Sequence, residues 1–254
     1  MMRALLRLTV YLTFTLLCMP FQAFFLLVAP PLAKRFPVWY HRRCMRLFGI
    51  TVEVVGQPSA QHPCLYLSNH SSYLDIPVLG SLMPICFVAK AEVARWPLFG
   101  QLAKLQQTLF IDRRTSQVAA GQSALAARLK AGDDLVLFPE GTSSDGMRVL
   151  PFRRALFQTA LDHAKGLQLT LQPVSIYCAG MDGTPADRAA RQLYAWFGDM
   201  DLLPHLWRYC HLRSSTIRVV FHPPMDSSAH ADRVTLAAEA ERVVAAGLAS
   251  EQAA

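Results

Sequence analysis

The chain has 254 residues, of which 52% are hydrophobic and 17% charged, and a formal net charge of +7. That length allows one large domain or two small ones, and the composition excludes a disordered chain while supplying enough apolar residues for a core. The positive balance asks for an anionic partner. With no RNP-like, zinc-finger or basic-zipper pattern, nucleic acid is set aside in favour of an anionic membrane surface or a small anionic substrate.

From Leu8 to Ala33 no residue is charged. The run is long enough to cross a hydrocarbon core of about 30 Å as a helix, and too long for the apolar part of a cleaved signal, about 7–15 residues. Pro20, near its middle, either kinks a single span or marks the bend of a two-helix hairpin that enters and leaves on one side. Arg3 and Arg7 precede the run, and Lys34, Arg35, Arg42, Arg43 and Arg46 follow it. Basic residues at both ends suit a hairpin whose ends both face the cytoplasm. The later cluster is either a solvated helix face or a contact for anionic headgroups. Residues 1–48 are thus expected to be membrane-anchoring and interfacial helices, 49–250 a catalytic domain and 251–254 a tail.

After Gly49, apolar and β-branched runs predict strands over Ile50–Val55, Cys64–Ser68, Ile85–Ala89, Thr108–Ile111, Leu135–Phe138, Leu169–Ile176 and Thr216–Phe221. Helical patterns lie between them. Ser116–Lys130 is typical, with Val118, Leu125 and Leu129 on an apolar face. The alternation predicts an α/β fold: a mostly parallel central sheet flanked by helices, with functional groups in the loops after strands. Cys18, Cys44, Cys64, Cys86, Cys178 and Cys210 form no Cys-x-x-Cys. They suggest neither a zinc site nor a disulfide scaffold, but reduced, buried thiols of a cytosolic domain.

Three segments that follow strands carry chemistry. In Asn69-His70-Ser71-Ser72-Tyr73-Leu74-Asp75, His and Asp five apart are separated by about 500° of helix, so they share no helix face. Pro77 also disfavours helix at Ile76. A strand-to-helix loop is expected to fold the Asp75 carboxylate back onto the His70 imidazole. Asp75 then fixes the tautomer, and the other ring nitrogen takes a proton from an alcohol. By spacing alone such a pair carries little specificity, and Gly-x-Ser-x-Gly is absent.

Thr108-Leu109-Phe110-Ile111-Asp112-Arg113 ends a strand in a guanidinium suited to a phosphate or carboxylate, or to a surface ion pair. Leu135 to Ser144 passes from a buried strand through Phe138-Pro139-Glu140-Gly141-Thr142, where Pro fixes a bend and Gly permits close backbone approach. Glu140 either accepts hydrogen bonds from a substrate or ties the loop to a neighbour. Arg148, Arg153 and Arg154 either add to an anion-binding wall or are solvated. A fourth segment, Leu171-Gln172-Pro173-Val174-Ser175-Ile176, reads as a core strand with a proline near its start.

In this order and spacing the four segments resemble the glycerolipid acyltransferase family that includes the PlsC-like 1-acylglycerol-3-phosphate acyltransferases, from about Gly49 to Phe221. The resemblance implies that His70 is the general base and Asp75 its partner, and that Arg113, Glu140, Gly141 and Thr142 hold the acceptor. Asn69, Arg148 and Arg153 are candidate headgroup or donor contacts. No bound cofactor or metal is implied. The fatty acyl group would arrive as a thioester of coenzyme A or acyl carrier protein, the acceptor being a lysolipid among membrane lipids. Gln107 stands where the second block often has Gly, and Ser143 where phosphate-acceptor members often carry Arg. Gly141 to Gly146, with Tyr194-Ala195-Trp196-Phe197-Gly198-Asp199-Met200, is similar to bacterial members that acylate lyso-ornithine lipid. The expected activity is therefore lysolipid O-acylation, on lyso-ornithine lipid first and on 1-acylglycerol-3-phosphate as the alternative. The expected location is a bacterial inner membrane, with the catalytic domain facing the cytoplasm. A thioesterase or phospholipase using the same dyad on water, or a non-catalytic lipid-binding protein, are the competing readings.

Overall fold

The structure, a computed structural model, describes residues 1–112, 118–158, 169–226, 229–230 and 232–249. Strands β1 (Ile50–Val55), β2 (Cys64–Ser68), β3 (Cys86–Lys90), β4 (Leu109–Ile111), β5 (Leu135–Leu137), β6 (Thr170–Met181), β7 (Thr184–Pro185) and β8 (Ser215–Phe221) form one sheet. Their order is β1-β8-β6-β2-β5-β3-β4, with β7 on β6. The central pairings of β2 with β6 and β5, β5 with β3, and β3 with β4 are parallel. Strand β8 joins β6 antiparallel and carries β1 parallel to itself, and the short β7 also joins β6 antiparallel, so these three strands run against the rest. The sheet is mostly parallel, as the alternation of patterns predicted.

Helices α1 (Met2–Val28), α2 (Pro30–Phe48), α3 (Asp75–Gly80), α4 (Phe99–Leu105), α5 (Val118–Lys130), α6 (Arg188–Tyr194), α7 (Leu202–Cys210) and α8 (Arg233–Ala249) cover both faces. Alternate strand residues point to opposite sides. Tyr66, Val136 and Ile176 therefore meet Ala4, Met45 and Phe48 of the N-terminal helices in one core. Leu65, Leu67 and Leu137 meet Leu125, Leu129 and Val244 from α5 and α8 in the other. All six cysteines are free and buried.

The N-terminal run corrects one expectation. Helix α1 continues through Pro20, and the chain bends instead at Ala29, which ends α1 and leads into Pro30 and Pro31 at the start of α2. A proline in the first turn lacks an N–H that would have no helical partner anyway, so Pro30 starts a helix more readily than Pro20 stops one. The two helices pack together, and α1 also touches α4 and α7. Arg7 fastens α1 to the domain by donating to the carbonyls of Cys210, Leu212 and Arg213, at the carboxyl end of α7. Outward from these contacts, Leu5, Leu16, Leu17, Phe21, Phe24 and Leu27 are exposed. Among the described residues, α1 is the helix long and apolar enough to cross a membrane.

One other proline sits differently from expectation, and Pro173 falls near the start of a core strand as expected. Helix α3 begins at Asp75 and includes Ile76, because Pro77 falls in its first turn, where no N–H is needed. Pro173 lies within β6, which is longer than predicted and interior to the sheet; its carbonyl accepts from the backbone N–H of His222 at 3.0 Å. The tail at 251–254 lies outside the described residues.

Two leucines separate the core from the exposed apolar face of α1. Leu67 is fully buried in β2 and Leu16 is 60% exposed on α1. Leu67→Ala is expected to cost about 2–5 kcal/mol in denaturant unfolding measured in detergent. Leu16→Ala should stay within about 0.5 kcal/mol in the same measurement while weakening binding to lipid vesicles.

Candidate active site

Strands β2 and β5 are neighbours and parallel, so the loops that leave their carboxyl ends meet. Ser68 is the last residue of β2, and His70 projects from the loop between β2 and α3. The Nδ1 of His70 lies 2.8 Å from Oδ2 of Asp75. The same oxygen accepts the backbone N–H groups of Ser71 at 2.8 Å and Ser72 at 3.0 Å. Its other oxygen, Oδ1, accepts the hydroxyl of Tyr194 at 2.7 Å. Asp75 is wholly buried, whereas the His70 side chain is 20% exposed. An acceptor-only carboxylate at Nδ1 requires that nitrogen to carry the ring proton in the neutral imidazole, which leaves Nε2 as a lone pair. The ring lies against Phe138, with centroids 4.2 Å apart and planes 23° apart.

The loop is held on every side. Asn69 is buried, its Nδ2 donating to the carbonyl of Ile176 and its Oδ1 accepting the N–H of Ile176, both at 2.8 Å. Its amide therefore ties β2 to β6 and is not presented to a substrate. Ser144 N–H donates to the carbonyl of His70, and Trp196 N–H to that of Ser71, each at 2.8 Å.

Glu140 is buried as well. One carboxyl oxygen accepts the N–H of His70 at 2.7 Å, and the other accepts the N–H of Leu150 at 2.8 Å. Burial pushes its carboxyl up to about 8, although the two N–H groups act in the opposite direction. Glu140 thus ties two loops together through the backbone.

Gly141 has φ +74, and a Cβ there would meet the Arg153 side chain at 2.4 Å. The guanidinium of Arg153 lies across this glycine and donates to the carbonyl of Glu140 at 3.3 Å. Thr142 and Arg148 are exposed nearby in sequence. The structure thus brings together His70, Asp75, Asn69, Glu140, Gly141 and Arg153. Arg113 lies outside the described residues. Tyr194 and the backbone of Ser144 and Trp196 belong to the site but carry no motif; the stretch from Tyr194 to Met200 was marked only by likeness of sequence.

Beneath α1 and α2 is a cavity of about 230 Å3, lined by Thr15, Phe36, Cys44, Tyr73, Phe87 and Leu102 among other, mostly apolar, residues. His70 and Asp75 do not line it, but Tyr73 and Leu74 of their loop do. Phe87 also links the two, since its ring is stacked on Phe138 at 6.4 Å.

Residues 50–177 match the family model described as Acyltransferase. The lyso-ornithine lipid O-acyltransferase of Brucella abortus (strain 2308) is 40% identical over 235 residues, which cover 91% of this chain and 88% of that one. The 1-acyl-sn-glycerol-3-phosphate acyltransferase of Neisseria meningitidis serogroup B is 34% identical over 200 residues, covering 78% of this chain and 74% of its own. In fold, the crystal structure of the 1-acyl-sn-glycerophosphate acyltransferase PlsC from Thermotoga maritima superposes with a TM-score of 0.71 at 19% identity, over 100% of this chain and 98% of that chain. Taken with a parallel sheet that delivers the blocks at Asn69–Asp75 and Phe138–Thr142 to one edge, these matches show that the chain belongs to the acyltransferase family and is an acyltransferase.

Proposed function

We propose that the protein transfers a fatty acyl group from a thioester to the hydroxyl of a lysolipid, with lyso-ornithine lipid as acceptor and His70 as general base. The observation that supports the mechanism is the His70–Asp75 contact of 2.8 Å, which occupies Nδ1 and leaves Nε2 as the proton acceptor of a side chain that is 20% exposed. The acceptor hydroxyl gives its proton to Nε2 as its oxygen bonds to the thioester carbonyl carbon. The resulting tetrahedral intermediate collapses, the carbon–sulfur bond breaks, and Nε2 returns the proton to the departing sulfur. Asp75 stays ionised and stabilises the imidazolium between the two transfers, as in other base–carboxylate pairs. Coenzyme A and acyl carrier protein both supply such a thioester.

The choice of acceptor rests on the relative from Brucella abortus and on Ser143, an uncharged residue next to the glycine turn. A phosphate headgroup would favour a guanidinium there. Arg148 and Arg153, with the Neisseria relative, favour 1-acylglycerol-3-phosphate as the second reading. Glu140 acts through the loops it braces, and Arg113 and Thr142 complete the acceptor side.

Residues 1–48 serve as the anchor, with α1 lying against lipid on its exposed apolar face at the cytoplasmic side of the bacterial inner membrane. The cavity under these helices takes an acyl chain, each buried methylene contributing about 0.8 kcal/mol.

His70→Ala should lower transfer from a labelled acyl thioester at least about a thousandfold while membrane association is retained; wild-type turnover would refute the mechanism. Lipid mass spectrometry after deletion and re-expression reads the acceptor: lyso-ornithine lipid should accumulate and ornithine lipid disappear. Loss of phosphatidic acid instead selects the second reading.

Glu140 gives a pH prediction. Its carboxyl is raised from 4.5 to about 8, so between these values the folded protein holds a proton that the unfolded chain has lost. Stability therefore falls as pH rises through that window, by an amount on the order of a few kcal/mol. In Glu140→Gln the difference in unfolding midpoint between pH 5 and pH 8 should shrink. Turnover should also drop, because the amide NH2 must face one of the two backbone N–H groups.

A further inference from the structure

Asp75 has two oxygens with different partners. Oδ2 receives three donors from its own loop, while Oδ1 receives only the hydroxyl of Tyr194 among the described residues. Tyr194 is the last residue of α6, 119 positions along the chain from Asp75 and beyond the residues matched to the family model. Two residues later the N–H of Trp196 holds the carbonyl of Ser71. One short stretch of chain therefore touches the catalytic loop twice, once through a side chain and once through the backbone.

We propose that Tyr194 is a positioning residue for acyl transfer: its hydroxyl, donated to Oδ1, orients the Asp75 carboxylate and sets how much of that charge is felt by the ring of His70. Both groups are buried, with Tyr194 1% and Asp75 0% exposed, so no water replaces the bond. A hydrogen bond between a hydroxyl and a buried carboxylate is short and strong because the acceptor is charged. The phenol is held protonated by burial and by the neighbouring Asp75 charge, which keep it well above its ordinary range, so it is a donor at every working pH. Removing it concentrates negative charge on the carboxylate. The imidazolium is then held more tightly, and the base is available only at higher pH. The other titratable groups here are Glu140 from the loop after β5, Cys178 from β6 and Tyr209 from α7, with Glu241 of α8 acting on Glu140.

The inference rests on His70 and Asp75 being the reacting pair, and the experiment separates the two. Full-length protein in lipid vesicles is assayed with acyl thioester and lysolipid across pH. Tyr194→Phe keeps the ring and its packing against Tyr209, whose centroid is 6.3 Å away. It should lower kcat roughly tenfold, the value of one hydrogen bond to a charged group. KM should change little, and the acid limb should move up by about half a pH unit or more. Placing 3,5-difluorotyrosine at 194 preserves shape and strengthens the donor, so the limb should move down; this variant serves if Tyr194→Phe fails to fold. Tyr209→Phe loses a buried hydroxyl bonded to Ser215 and should leave the limb in place. A limb unmoved by either change at 194, or moved equally by Tyr209→Phe, overturns the proposal. An active His70→Ala would overturn the reading beneath it, whereas silence at 194 with an inactive His70→Ala overturns this inference alone.

Discussion

The constraint on which the site depends is the burial of one carboxylate. Asp75 has no exposed surface, and an ionised group in that position persists only if hydrogen bonds replace the water it has lost. Four donors do so: the ring of His70, the N–H groups of Ser71 and Ser72, and the hydroxyl of Tyr194. Satisfying them shapes the backbone. The loop after β2 must curl so that consecutive N–H groups converge on one oxygen, and α3 must start at Asp75 itself. Helix α6 must end where a phenol reaches Oδ1. Much of the remaining hydrogen bonding around the loop, from Asn69, Glu140, Ser144 and Trp196, keeps that curl from relaxing.

The sheet makes this affordable because β2 sits near its middle, between β6 and β5. Its flanking strands are covered on both faces, so the loop leaves from a rigid edge. The N-terminal helices belong to the same arrangement. Ala4, Cys44, Met45 and Phe48 enter the core that holds Tyr66 and Val136, and Arg7 ties α1 to the end of α7. The apolar outer face of α1 is therefore fixed relative to His70. The cavity beneath it shares Tyr73 and Leu74 with the loop that carries His70. A lipid substrate taken from the bilayer and a chain lying in that cavity would reach the same ring from fixed directions.

The strands were legible because runs such as Leu65–Leu67 and Leu135–Leu137 are apolar on both faces, as interior parallel strands require. The helix-forming stretch from 118 to 130 was legible from Leu125 and Leu129. Where proline was the guide, sequence misled: Pro77 sits in a helical first turn, where a missing N–H has no helical use, and Pro20 stays inside α1, which continues despite the hydrogen bond lost there. The His70–Asp75 contact was inferred from chemistry and found at 2.8 Å. Tyr194 was out of reach, because a tyrosine 119 residues away meets Asp75 only through the packing of α6 on the sheet. Glu140 shows a different limit. A motif carboxylate reads equally as substrate ligand or brace, and its two backbone partners, His70 and Leu150, are seen only in three dimensions.

Those partners bear on what the motif blocks are for. Of the side chains in Asn69–Asp75 and Phe138–Thr142, Asn69, Asp75 and Glu140 are buried with their polar atoms engaged within the protein. Phe138 underlies the ring, and His70 alone combines a ring nitrogen without a partner among the described residues, Nε2, with partial exposure. An enzyme whose substrates are largely hydrocarbon gains most of its binding from apolar contact, which is insensitive to orientation. Orientation of the reacting hydroxyl must then come from the protein side, through a base that cannot turn. Rigid placement of a single imidazole, with Asp75 on its Nδ1 and Glu140 on its backbone N–H, suits such substrates.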